Sequence, residues 1–303
     1  MEFTTHITAV RYIQTAETGS SQPSLVEASD GLLYWVKSQG NPQGTRVLIN
    51  EMMANRLAAR VGLPVAPFRL IVVSKEFIER NSGFHYRRPN HYGVQKPFPG
   101  LQFASSHVPG VPSAPAARDR CAEEFAGGFV FDIWTRQRDR RQAAFTGSGV
   151  RFYDYGMAFA PQDLEFPLTF DDGGRAPYSP DFDYGRFTRM SDFEPWLSRI
   201  EALSLIDIAQ SAVGIPKAWF EARSVWDRYA LSQGEFDATE DDLRRRIGWL
   251  YELRTSIRED VEAEIAASED IFSSWAEPFS EAALSESARR REVYEEKHEL
   301  EQV

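Results

Sequence analysis

Two aspartates set the chemistry this chain could do. Asp139 follows an apolar run ending in Ile133-Trp134, and Asp154 follows the strand-like run Val150-Arg151-Phe152-Tyr153, with Gly156 close behind. Acids fifteen residues apart, each at the end of an element, suit a hairpin that aims both carboxylates into one cleft. Phosphoryl transfer needs such a pair, one carboxylate to orient a hydroxyl and accept its proton and another to hold the magnesium that bridges phosphates. A turn carrying two solvated acids has the same pattern, since Asp is common at turns.

A second pair of residues fits the same chemistry. Lys37 ends the apolar run Leu32-Leu33-Tyr34-Trp35-Val36, and Glu51 lies in the middle of an expected helix from Thr45 to Val61. A strand lysine and a glutamate on the following helix can form the ion pair that fixes the lysine against nucleotide phosphates. A surface lysine and a solvated helix face are the plainer alternatives. The polar turn from Thr15 to Pro23 could drape over phosphates through its backbone N–H groups, but with one glycine it reads, taken alone, as an ordinary hairpin.

The elements that would position these residues follow from pattern. Ile7–Ile13, Ser24–Ala28 and Leu32–Lys37 read as a three-stranded antiparallel meander. Gly62 and Pro64 stop the first helix. Pro67–Val73 reads as another strand, Ser74–Tyr92 as irregular, and Val94–Pro115, rich in Pro, Gly and Ser, as a loop or linker. Ala117–Arg138 reads as one or two helices, Pro161–Met190 as a long loop, and Glu194–Ala209 as a helix. A single apolar stripe runs from Leu243 to Ile265. Charges dominate from Ser280 onward, as in a peripheral helix or a partly disordered tail. The expected fold is α+β and two-lobed: an N-lobe of sheet and one helix over 1–95, a mainly helical C-lobe over 96–278, and a charged tail over 279–303.

Composition narrows the function classes. Hydrophobic residues make up 42% of 303, enough for a core, and no apolar run reaches membrane-spanning length. A net charge of −11 argues against direct nucleic-acid binding, which rests on basic surface. Cys121 is the single cysteine and reads as a buried thiol. With no signal-peptide pattern at Met1–His6, the expected location is cytoplasmic, without membrane partners. His85 and His91 lack zinc spacing, and Asp171-Asp172-Gly173-Gly174 lacks the spaced ligands of a calcium loop.

Taken in order, these pieces resemble the HipA-like branch of the protein-kinase-like fold, and touch the catalytic loop of phosphatidylinositol-kinase-like proteins. The carriers are Tyr34-Trp35-Val36-Lys37, Asn50-Glu51 with Leu57 through Pro64, Asp132-Ile133-Trp134 leading to Arg138-Asp139-Arg140, and Tyr153 through Phe159. The resemblance spans residues from about 7 to 260. It implies a phosphate-covering loop at Gly19, Ser20, Ser21 and Gln22. It implies Lys37 on the phosphates of ATP, with Glu51 steadying it, Asp139 as catalytic acid/base, and Asp154 as a Mg²⁺ ligand. Ser20 or Ser21 would be the place for autophosphorylation.

The chain departs from the family loop, Asp-x-His-x-x-Asn, at two places. Arg141 stands at the His position and Ala144 at the Asn position, where alanine offers no metal ligand. Four arginines (Arg136, Arg138, Arg140, Arg141) crowd this loop, either in place of metal charge, or for an acidic partner, or as a solvated cluster. Three functions are therefore expected candidates: a kinase passing the γ-phosphate to a Ser/Thr hydroxyl of a protein, a catalytically impaired pseudokinase that binds a nucleotide or partner, and a small-molecule or lipid-headgroup kinase.

Overall fold

The computed structural model describes residues 6–17, 19, 21–87, 94–110, 115–159, 178–221 and 240–289. The chain divides into two compact units, one of residues 1–56, 65–109 and 211–244, the other of 57–64, 110–210 and 245–303.

The first unit is built on a closed barrel. Strands β1 (Ile7–Thr15), β2 (Ser24–Ala28) and β3 (Leu33–Lys37) form the expected antiparallel meander. Strand β4 (Phe68–Val73) closes the barrel by pairing in parallel with the start of β1, Ile7 opposite Ile71. Two register shifts in β1 mark bulges, which bend and twist a strand enough for so small a sheet to close. Val26, Tyr34, Val36, Ile71, Val73 and Ala104 fill the core.

Helix α1 (Arg46–Val61) follows β3. Leu48, Met52, Leu57 and Val61 are buried at the expected helical spacing. Its end is a Schellman motif: Leu63 N–H donates to Ala58 O at 2.9 Å, Gly62 N–H donates to Ala59 O at 3.1 Å, and Gly62 sits at φ +91. Two expectations fail here. The irregular stretch after Ser74 contains helix α2 (Lys75–Arg80), started by the Ser74 hydroxyl accepting from Phe77 N–H at 3.0 Å. Two-residue strands β5 (Tyr86–Arg87) and β6 (Val94–Gln95) pair after it. The expected linker holds β7 (Gly100–Ser106), which pairs with both β3 and β4 and is central to the barrel. Its glycine and serines mask a strand whose middle residues, Gln102, Phe103 and Ala104, are all buried.

The second unit is organised around α4 (Ala122–Thr135), which follows the short α3 (Pro115–Arg120). Every residue from Phe125 to Thr135 is buried, as expected of a helix apolar on all sides. Phe129 sits among the rings of Tyr178, Tyr184, Phe193 and Phe272, while Phe125 stacks on Phe182 at 4.4 Å. The hairpin β8 (Gln142–Thr146) and β9 (Gly149–Tyr153) follows, turned by Gly147 and Ser148.

The helix expected over Glu194–Ala209 is two, α5 (Trp196–Glu201) and α6 (Leu205–Gln210). Ser204 and Asp207 separate them by reciprocal capping: Asp207 N–H donates to Ser204 Oγ at 3.1 Å, and Ser204 N–H donates to the Asp207 carboxylate at 2.9 Å. The Leu243–Ile265 stripe likewise divides, into α7 (Glu240–Leu253) and α8 (Ile257–Ala267). Residues 281–289 are helical; the rest of the charged tail, from 290, lies outside the described residues, as do 160–177 with Asp171 to Gly174. No described helix is long and apolar enough to cross a membrane.

Candidate active site

In the first unit, Lys37 and Glu51 meet. Lys37 Nζ donates to Glu51 Oε1 at 2.5 Å, with the two side chains 8% and 2% exposed. The strand brings the lysine to the barrel end opposite Phe103, and the helix presents the glutamate on its buried face. The other carboxylate oxygen accepts from Asn55 Nδ2 at 2.9 Å, and the same amide donates to Glu51 O at 2.8 Å. Asn55 is a supporting residue that pattern reading missed. Its signal was the i, i+4 spacing from Glu51 on the same helix.

The expected phosphate loop lies between β1 and β2. Gly19 adopts φ +94 and accepts from Gln22 N–H at 3.0 Å, so a tight turn forms there. Ser21 is buried. The Gln22 side chain is engaged with the backbone of β5, donating to Arg87 O at 2.8 Å and accepting from Arg87 N–H at 2.7 Å. Ser20 lies outside the described residues.

In the second unit, the hairpin brings the segments of Asp139 and Asp154 to one end. The last rung of the ladder pairs Gln142 with Tyr153; Asp139 lies three residues before it and Asp154 directly after it. Cross-links hold the two segments side by side. Gln137 Nε2 donates to Asp154 O at 3.0 Å, Arg138 N–H to Met157 O at 3.1 Å, and Phe159 N–H to Thr135 O at 2.7 Å. The Asp139 carboxylate accepts from Arg140 N–H at 2.8 Å. Asp154 takes a left-handed conformation, φ +62, uncommon for a residue with a side chain.

Arg141, expected within a basic cluster, is instead buried in an ion pair. Its Nε donates to Asp132 Oδ2 at 2.8 Å and its Nη2 to Asp132 Oδ1, both side chains being fully buried. Its guanidinium lies 4.2 Å from the Tyr155 ring centre and 5.7 Å from that of Phe152. Burial pushes the Asp132 carboxyl up to about 6 against the pull of Arg141, and the charge of Asp139 adds to the push. Burial also opposes the guanidinium charge, yet Asp132 holds that charge on above the ordinary arginine value. Arg141 therefore cannot stand in for metal charge or reach an acidic partner. Arg136 ends α4 in a left-handed conformation, 5.9 Å from the Trp249 ring. Asp132 gave little sign of its role in sequence, as one acid inside an apolar helix.

Ala144 lies within β8 opposite Arg151, on the strand face away from buried Phe145, Val150 and Phe152. It contributes no oxygen there. Among the described residues no group of three or more His, Cys, Asp or Glu could hold a metal. Mg²⁺ held on a nucleotide needs only one or two protein carboxylates, with waters and phosphate oxygens completing the octahedron.

A unit built on a small sheet with one long helix, together with a largely helical unit, is the make-up of the two-lobed, kinase-like α+β class. Within that class residues 9–154 match the family described as HipA-like kinase. Among solved structures, the crystal structure of the Golgi casein kinase with Mn/ADP bound is similar at 10% identity, covering 84% of this chain and 72% of that one, with a TM-score of 0.46. The crystal structure of a Helicobacter pylori proinflammatory kinase, CtkA, is similar at 12% identity over 94% of this chain and 99% of that one, with a TM-score of 0.44. Neither TM-score reaches 0.5. No curated protein matches the chain.

Proposed function

We propose that the protein is an ATP-dependent kinase that transfers the γ-phosphate to a Ser/Thr hydroxyl of a protein. The observation that carries this reading is the buried Lys37–Glu51 pair. A lysine costs free energy to bury, and here a glutamate, itself anchored by Asn55, holds its charge at the end of a strand. That is the arrangement a kinase uses to present a lysine to phosphates. In this reading Lys37 binds the nucleotide phosphates, Asp139 orients the acceptor hydroxyl and accepts its proton, and Asp154 holds Mg²⁺. When bound, the magnesium–nucleotide supplies the phosphoryl group and neutralises charge on it. The turn around Gly19 and Ser21 covers the phosphates with backbone N–H groups.

Ala144 favours a second reading, a nucleotide- or partner-binding pseudokinase, because the loop lacks the oxygen ligand its family pattern carries there. A small-molecule or lipid-headgroup acceptor also remains compatible with Asp139, whose chemistry acts on a hydroxyl of any carrier. Labelled ATP with magnesium or manganese separates these readings. Transfer to protein by the wild type, lost in Asp139→Asn, supports the kinase. Transfer only to a small hydroxyl compound moves the acceptor. Divalent-dependent nucleotide binding without transfer supports the pseudokinase.

A further inference from the structure

We infer that Arg141 is a positioning residue that holds Asp154 in place, doing so from the position where the family loop carries histidine. This deepens the reading above, since the use of a held Asp154 rests on its proposed role. Arg141 touches the residues on both sides of Asp154. Its Nη1 reaches Tyr153 O at 3.5 Å, and its guanidinium lies 4.2 Å from the centre of the Tyr155 ring. Its Nε and Nη2 make a two-pronged bond to Asp132, which α4 fixes within the core. The planar guanidinium thus joins a rigid helix to the backbone at the exit of β9, using its edge for the carboxylate and its face for the ring.

Asp154 needs such support. Its φ of +62 persists only where the surroundings over-determine it. Gln137 holds its carbonyl, and Arg141 holds its two neighbours. A histidine lacks the reach to pair with Asp132 through two nitrogens and cover Tyr155 at once. The departure at Arg141 is therefore a different way of fixing the same turn, coupled to Asp132 on α4.

The test separates holding from folding. Arg141→Met strands a buried carboxylate and lowers Tm. Asp132→Leu/Arg141→Met removes both charges, and replacing a buried ion pair with apolar residues of similar volume is often neutral. Arg141→Lys is the second variant: it keeps a cation against Asp132 but loses the fork and the flat face. Hydrogen exchange on the full chain without nucleotide is the readout. In each variant the Arg138 and Phe159 amides, bonded to Met157 O and Thr135 O, should exchange at least about tenfold faster relative to the α4 amides of the same variant than they do in the wild type. Wild-type exchange at those two amides would overturn the inference. Magnesium-dependent ATP affinity, read on the same variants, should weaken by about tenfold at unchanged Tm. If wild type binds no ATP, the proposed role of Asp154 fails, while the amide result still decides whether Arg141 holds it.

Discussion

Glu51→Gln should destabilise the protein far more than loss of one surface charge. The substitution keeps volume and removes charge. Lys37 is 8% exposed, so its ammonium would face a neutral amide with little water to compensate. Glu51 now offers separate oxygens to Lys37 and to Asn55 Nδ2. Glutamine has one oxygen and can satisfy only one of them, turning an N–H donor toward the other. Breaking a buried ion pair by removing one partner costs about 3–5 kcal/mol, and the retained oxygen puts this case at about 3 kcal/mol. At roughly 2–4 °C per kcal/mol for a protein of this size class, Tm should fall by about 6–12 °C. Thermal denaturation followed by circular dichroism at pH 7 measures it. Buried pairs are screened little, so the drop should persist at about 1 M salt. The control is Glu79→Gln, which breaks the exposed 3.7 Å pair with Lys75 and should cost about 0.5 kcal/mol or less. A Glu51→Gln protein that melts with the wild type, or whose loss vanishes in salt, would refute the reasoning.

Three further outcomes follow from particular contacts. Gly127→Ala places a Cβ against Trp196 Cε2 and 2.9 Å from Leu63 Cδ2, beside a ring whose Nε1 is held by Glu123 O; overpacking outweighs the gain in helix propensity, for a net loss of about 1–2 kcal/mol in denaturant unfolding. Asp192→Asn tests pH dependence: burial pushes this carboxyl up, but donors from Thr188 and Arg189 outweigh it and hold it below its usual value. Its contribution is present above the unfolded value of 3.8 and lost as pH falls through the lower folded value, so the Tm gap between wild type and variant should be full at pH 7 and close below that range. Ala144→Asn, on a half-buried strand position, should change stability by less than about 0.5 kcal/mol. It should also strengthen magnesium-dependent nucleotide binding in a titration, whereas weaker binding would contradict the proposed place of residue 144 in the loop.

The meander, α1 and its glycine stop were legible because each depends on local pattern: alternation in Ile7–Ile13, helical spacing from Val47 to Val61, and Gly62 before Pro64. Lys37 with Glu51 was legible because strand end and helix middle are positions that pattern fixes. Strand β7 was not, since its partners β3 and β4 are distant in sequence and its Gly, Ala and Ser residues are poor strand signals. The breaks at Ser204 and after Leu253 were hidden because the apolar stripe continues through them while the capping hydrogen bonds do not show in hydropathy. Arg141 was read as one of four loop arginines because nothing local tells a buried arginine from an exposed one. Its partner, Asp132, sits nine residues earlier on a different element, and only the fold joins them.

The proposed function assigns Lys37 to nucleotide phosphates and Asp154 to magnesium, and ligand-induced stabilisation tests both assignments most directly. With ATP at about 100 times Kd the folded state should gain about 2.7 kcal/mol, seen as a rise in Tm that requires a divalent cation. The account predicts that Lys37→Met and Asp154→Asn each abolish most of that rise while remaining folded. A rise that survives both substitutions, or none in the wild type with either magnesium or manganese, would contradict it.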